Sequence, residues 1–158
     1  MSDDDKTLMM HAINVSLQKM RSNEGGPFGA VIVKDGAVIS EGWNQVTSSN
    51  DPTAHAEIMA IRKACEKLND FSLEGCEIYS SCEPCPMCLS AVYWARLDRL
   101  YFANSRDDAK AIGFDDAHIY DEIGKPVHER IIPTFHMHLP EAAAVFAEWR
   151  DKADKTEY

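Results

Sequence analysis

Four side chains in this sequence have the types and spacing for metal-assisted hydrolysis: His55, Glu57, Cys85 and Cys88. Cys85 and Cys88 stand three apart, the separation that brings two side chains together on one helical turn. Two thiolates at a helix start are stabilised by the helix N-terminus and by a cation. With the neutral imidazole of His55 they make a three-ligand set, and catalytic zinc typically takes three protein ligands and a water. Such a site is expected to hold one Zn2+ per subunit with a bound water or hydroxide, since the metal makes that water far easier to ionise. Glu57, two residues after the histidine, is badly placed to join the same tetrahedron. It is well placed to take a proton from the water and to pass it to a ring nitrogen and a leaving amine.

His-x-Glu followed by Pro-Cys-x-x-Cys is the signature of zinc deaminases that act on nucleobases. Cys-x-x-Cys alone is a weak signal; the combination, some thirty residues apart, is specific. The competing reading is a closed, non-catalytic zinc module with Cys82 as fourth ligand, which would leave Glu57 without a role. The remaining cysteines, Cys65 and Cys76, read as small buried hydrophobes. Five cysteines, three of them clustered, do not make a disulfide framework.

The elements that must position these residues follow from periodicity and punctuation. Leu8, Met9, Ala12, Ile13, Leu17 and Met20 predict a helix over 4–21, with Asp3 to Asp5 at its favourable end. Gly25-Gly26-Pro27 breaks it. Residues 28–33 and 37–43 read as strands joined at Asp35-Gly36. A polar loop, 47–52, leads to a helix with Ile58, Ile61, Ala64, Cys65 and Leu68 on its apolar side. Residues 77–80 read as a strand, 84–96 as a helix apolar nearly all round and therefore buried, and 100–103 as a strand. A short helix over 107–112 ends at Gly113; 131–139 reads as a last strand and 141–155 as a last helix. The expected fold is a three-layer α/β/α domain around a mixed central sheet of about five strands.

Composition narrows the partners. At 158 residues the chain suits one domain, and 45% hydrophobic with 27% charged residues is ordinary for a globular protein. No apolar run approaches the roughly 18 residues of a membrane span, and the acidic start does not resemble a signal peptide, so a cytoplasmic location is expected. The formal net charge of -10 is the reverse of a nucleic-acid binder's. Residues 140–158 carry five acids (Glu141, Glu148, Asp151, Asp154, Glu157) against three bases (Arg150, Lys152, Lys155). A small uncharged substrate is expected instead.

Over nearly its whole length the chain resembles the cytidine deaminase superfamily, and within it the bacterial guanine deaminases. The resemblance runs through Gly25 to Val33, Asn50 to Glu57, Ser81 to Cys88, Tyr93 to Arg96, Ile112 to Asp116 and the terminal Glu157-Tyr158. It implies hydrolysis of guanine to xanthine and ammonia, with attack at C2 and Glu57 as proton shuttle. It also implies a homodimer, with Tyr93-Trp94 in the subunit contact, and a C-terminal segment from about 140 to 158 that closes over the active site, in its own subunit or exchanged into the partner's. Asn44 would then bond the purine edge, or otherwise be a turn-forming asparagine. Asp116 is a candidate second acid/base or a partner for ring nitrogens, or a solvated loop residue or cap. Phe28, Trp94 and Phe114 are candidates to stack on the base or to fill the core, and Tyr158 to bind through its hydroxyl. His118, His128, His136 and His138 lack ligand spacing. The same chemistry leaves guanosine deaminase, tRNA adenosine deaminase and cytosine deaminase as alternatives.

Overall fold

The computed structural model describes residues 2–158. Two compact units divide the chain, Met1–Asp116 and Ala117–Tyr158.

The first unit opens with α1 (Asp3–Arg21), started by a reciprocal capping box between Ser2 and Asp5. Strands β1 (Gly29–Lys34) and β2 (Ala37–Trp43) form a hairpin. Its turn places Asp35 and Gly36 both at positive φ, the conformation that suits the right-handed twist of the flanking strands. A single turn, α2 (Val46–Ser49), overlaps the start of the expected loop. Then come α3 (Ala56–Leu68), β3 (Cys76–Cys82), α4 (Pro86–Trp94), β4 (Arg99–Asn104) and α5 (Arg106–Ala111).

The sheet has four strands in the order β2-β1-β3-β4. β1 runs antiparallel to β2 and β3, and β3 parallel to β4. Strand alternation sends side chains to two cores. Ala30, Ile32 and Ile78 pack with Ala56, Ala60 and Ala64 of α3 and Val92 of α4. Val31, Val33 and Tyr79 pack with Ala12 of α1. The result is the expected α/β/α layering with one strand fewer.

Alanines four apart give α3 a flat inner face that lies tightly on the hairpin. A Cβ on Gly42 of β2 would stand 2.0 Å from the Ala56 carbonyl oxygen and 2.4 Å from the Ala60 nitrogen. Ser40 adds a hydrogen bond from its hydroxyl to the Ala60 carbonyl at 2.8 Å. Cys76 is buried as expected, while Cys65 is half-buried.

The second unit holds α6 (Ala117–Gly124), a 3-10 turn (Val127–Glu129) and α7 (Pro140–Asp151). Residues 131–139 are not a strand. They alternate in polarity but contain Pro133, which cannot donate to a ladder, and Ile131, Ile132, Phe135 and Met137 are all exposed.

Candidate metal centre and proton shuttle

Helix starts set the site. His55 is the N-cap of α3 and Cys85 the N-cap of α4, both with extended backbone. Pro86 takes the first helical position, where its missing N–H costs nothing, and Cys88 follows in the first turn. β3 delivers the chain to Cys85, and the seating of α3 on the hairpin brings His55 opposite.

The Nδ1 atom of His55 lies 3.5 Å from the sulfurs of both Cys85 and Cys88. The three ligand atoms all fall within 4.8 Å of one another. Zinc–sulfur and zinc–nitrogen bonds of about 2.3 and 2.05 Å at a tetrahedral angle give a nitrogen–sulfur edge of roughly 3.5 Å. Both nitrogen–sulfur edges therefore already match the spacing that zinc requires. Their protonation is graded. Cys85 is pushed down to about 4, first by the Cys88 thiol donating to its sulfur and then by His55. Cys88 is pushed up, by its bond to Cys85 and by burial. His55 is raised chiefly by its bond to Cys85.

Cys82 is not in this group. Its thiol donates to the Ser105 carbonyl oxygen at 3.7 Å, and burial pushes it up to about 11. Among the described residues the metal-binding group has three members, the number of an open site.

Glu57 lies in the first turn of α3 and is 7% exposed. Burial raises its carboxyl above the usual range, and the Cys85 thiolate adds to the effect. Ser80 of β3 donates to Glu57 Oε1 at 3.4 Å. The sequence analysis did not single out Ser80; the alternation that puts it on the Ile78 face of β3 was the signal for it. A buried carboxyl beside a metal group, with its affinity for a proton raised by burial, suits proton transfer.

The other predicted residues are distributed unevenly. Asn44 is buried after β2, and its side-chain oxygen accepts from the backbone N–H groups of Gly26 and Val46. Phe28 and Phe114 meet edge to face, centroids 4.8 Å apart and planes at 89°. Asp116 is raised by burial, with Arg106 opposing and the Cys85 thiolate adding, so it lies within the field of the metal group. Asp115 pairs with Lys110 at 3.1 Å. Trp94 ends α4, about 13 Å along the axis from Cys85 at 1.5 Å per residue, and is 68% exposed; Tyr93 is 77% exposed. α4 is thus not buried all round. Tyr158, in the second unit, is exposed.

Residues 2–104 match the cytidine and deoxycytidylate deaminase zinc-binding region. The chain belongs to that deaminase family. It is 52% identical to a guanine deaminase from Bacillus subtilis over 153 residues, covering 97% of this chain and 98% of the relative. The X-ray structure of guanine deaminase from that organism superposes with a TM-score of 0.96 at 51% identity, covering 100% and 99% of the two chains. A tRNA-specific adenosine deaminase from Aquifex aeolicus is 38% identical over 80% of this chain and 81% of its own. A solved family structure in complex with 2,6-diaminopurine matches at a TM-score of 0.68 and 34% identity, covering 71% of this chain and 62% of that one.

Proposed function

We propose that this deaminase converts guanine and water to xanthine and ammonia. The observation that carries the reading is the open set of three zinc donors with the buried Glu57 carboxyl in the same helical turn as His55. Likeness to guanine deaminase along the whole chain supports the choice of base.

His55, Cys85 and Cys88 hold the zinc, which supplies Lewis acidity and makes water ionisable near neutral pH. Glu57 accepts the proton of the water that adds to C2 and returns it to the adjacent ring nitrogen. It then carries the second water proton to the departing amine, which leaves as ammonia while C2 becomes a carbonyl. Ser80 holds the carboxyl in place. Asn44 orients the base, Phe28 and Phe114 line its face, and Asp116 serves the ring nitrogens. Cytoplasmic purine breakdown is the setting this chemistry fits.

The working form is a homodimer. Tyr93 and Trp94 at the exposed end of α4 make the subunit contact. The second unit exposes Ile131, Ile132, Phe135, Met137 and Phe146, more apolar surface than a free segment carries comfortably. That surface supports an exchange of the C-terminal segment, residues from about 140 to 158, between subunits, with Tyr158 over the partner's site. Ammonia release from guanine, guanosine, adenine, adenosine, cytosine and cytidine tests the substrate. Turnover of guanine alone is expected, and preference for guanosine would overturn the choice of base. Sedimentation as a monomer at micromolar concentration would remove the dimer.

A further inference from the structure

Asn44 is gripped from three sides. Its side-chain oxygen accepts from Gly26 N and Val46 N, each at 3.3 Å. Its own N–H donates to the Phe28 carbonyl at 3.1 Å, and the next residue, Gln45, donates to the Ala54 carbonyl at 2.9 Å, one residue before His55. The turn at 25–28 is thereby tied to Asn44, and Asn44 to the metal centre. Only the oxygen of a carboxamide accepts from N–H groups, so the two bonds decide which end of the amide is occupied. The NH2 end makes no hydrogen bond among the described residues, and it can only donate.

Gly25 makes this grip possible. A Cβ there would stand 1.8 Å from the Asn44 carbonyl oxygen, 2.6 Å from its carbonyl carbon and 2.9 Å from its side-chain oxygen. No rotamer change relieves a clash with backbone. Gly26, next along, is different in kind: the nearest atoms to a Cβ there would be ring atoms of Phe28 and Phe114, at 3.4 Å, an ordinary contact.

We infer that Gly25 is a positioning residue for the deamination, acting through Asn44. By bringing backbone against backbone it locks the carboxamide as a donor. The base is then recognised there through an acceptor, a carbonyl oxygen or unprotonated ring nitrogen. The inference rests on the reading of this site as a purine-base deaminase.

A double-mutant cycle on the zinc-loaded enzyme tests it, with kcat and KM for guanine, calorimetric binding of 8-azaguanine and zinc content as readouts. Asn44→Asp keeps an oxygen for Gly26 and Val46 but replaces the donor by a second acceptor. Gly25→Ala leaves the amide intact but displaces it. Each is expected to lower kcat/KM on the order of 10²-fold and to weaken 8-azaguanine, with one zinc per chain retained. The double variant should lose no more than the worse single one, because both act on one contact. Multiplying losses, or a Gly25→Ala enzyme equal to wild type, would overturn the inference. Should Gly25→Ala not fold, Asn44→Asp decides alone: wild-type kcat/KM and 8-azaguanine affinity in that variant would refute the locked donor. Failure of the wild-type chain to deaminate guanine would instead strike the substrate reading, and the cycle would be run on the base that it does deaminate.

Discussion

Gly42→Ala measures how closely the site depends on the seating of α3. The added methyl would lie 2.0 Å from the Ala56 carbonyl oxygen, about 1.4 Å short of an ordinary contact. Both obstructing groups are helix backbone, so no side chain can swing away. Helix and hairpin must separate by something near that distance, and Ala56 sits between His55 and Glu57. Overpacking of this kind costs about 1–3 kcal/mol, which lowers the melting temperature by roughly 3–10 °C in a chain of this size. Misplacing a ligand and the proton shuttle by about 1 Å should lower kcat on the order of 10²-fold. Gly36→Ala is the matched control. Gly36 has φ 76 and open space around it, so its substitution strains a distant turn by about 1 kcal/mol and leaves kcat alone. The experiment reads thermal denaturation, zinc content and ammonia release for both. If Gly42→Ala keeps wild-type kcat, or loses no more than Gly36→Ala does, the close packing of α3 does not set the site's geometry.

Glu57→Gln is isosteric and is not a ligand, so zinc should remain at one per chain while kcat falls by about 10² to 10⁴-fold; steady-state rates with metal analysis check both. Cys82→Ala should retain zinc and Cys85→Ala should lose it, by the same metal analysis; loss of zinc from Cys82→Ala would mean a closed site. Zinc uptake by the metal-free protein should weaken as pH falls. Cys88 and His55 have raised pKa values, so the metal competes with protons for them, whereas Cys85, at about 4, is already a thiolate at neutral pH. Competition titrations between pH 6 and 8 should show proton release on binding and tighter uptake at the alkaline end.

The chemistry was legible in the sequence because metal coordination restricts residue type and spacing together. His55, Glu57, Cys85 and Cys88 needed only two helix starts to bring them near one another. The hairpin, α1, α3, β3 and β4 were legible because burial on one face imprints a period. Beyond Gly113 the reading weakened. Residues 131–139 show alternation, but a strand needs a partner edge, and alternation does not supply one. α6 has no periodic apolar stripe long enough to predict a helix, although Asp115-Asp116 before it and Gly124 at its end are start and stop signals. An α4 apolar nearly all round predicts burial of Tyr93 and Trp94, yet both are exposed, because apolarity alone does not say which face packs against the domain. Ser80 and Gly42 carry no motif; their roles depend on which element packs over them.

His55 and Cys85 are both N-caps by position, yet neither side chain caps the helix it begins. An N-cap side chain ordinarily satisfies an open N–H and is worth about 1 kcal/mol. Here those side chains belong to the three-donor group, so a bound ion would fasten the beginnings of α3 and α4 to each other. Chelation should then loosen two specific places instead of melting the domain. Amide protons in the first turns after His55 and Cys85 should exchange faster in the stripped protein, while those of α1, secured by its own capping box, keep their protection. The cofactor that serves the reaction would then also be the clasp that holds its two supporting helices in register.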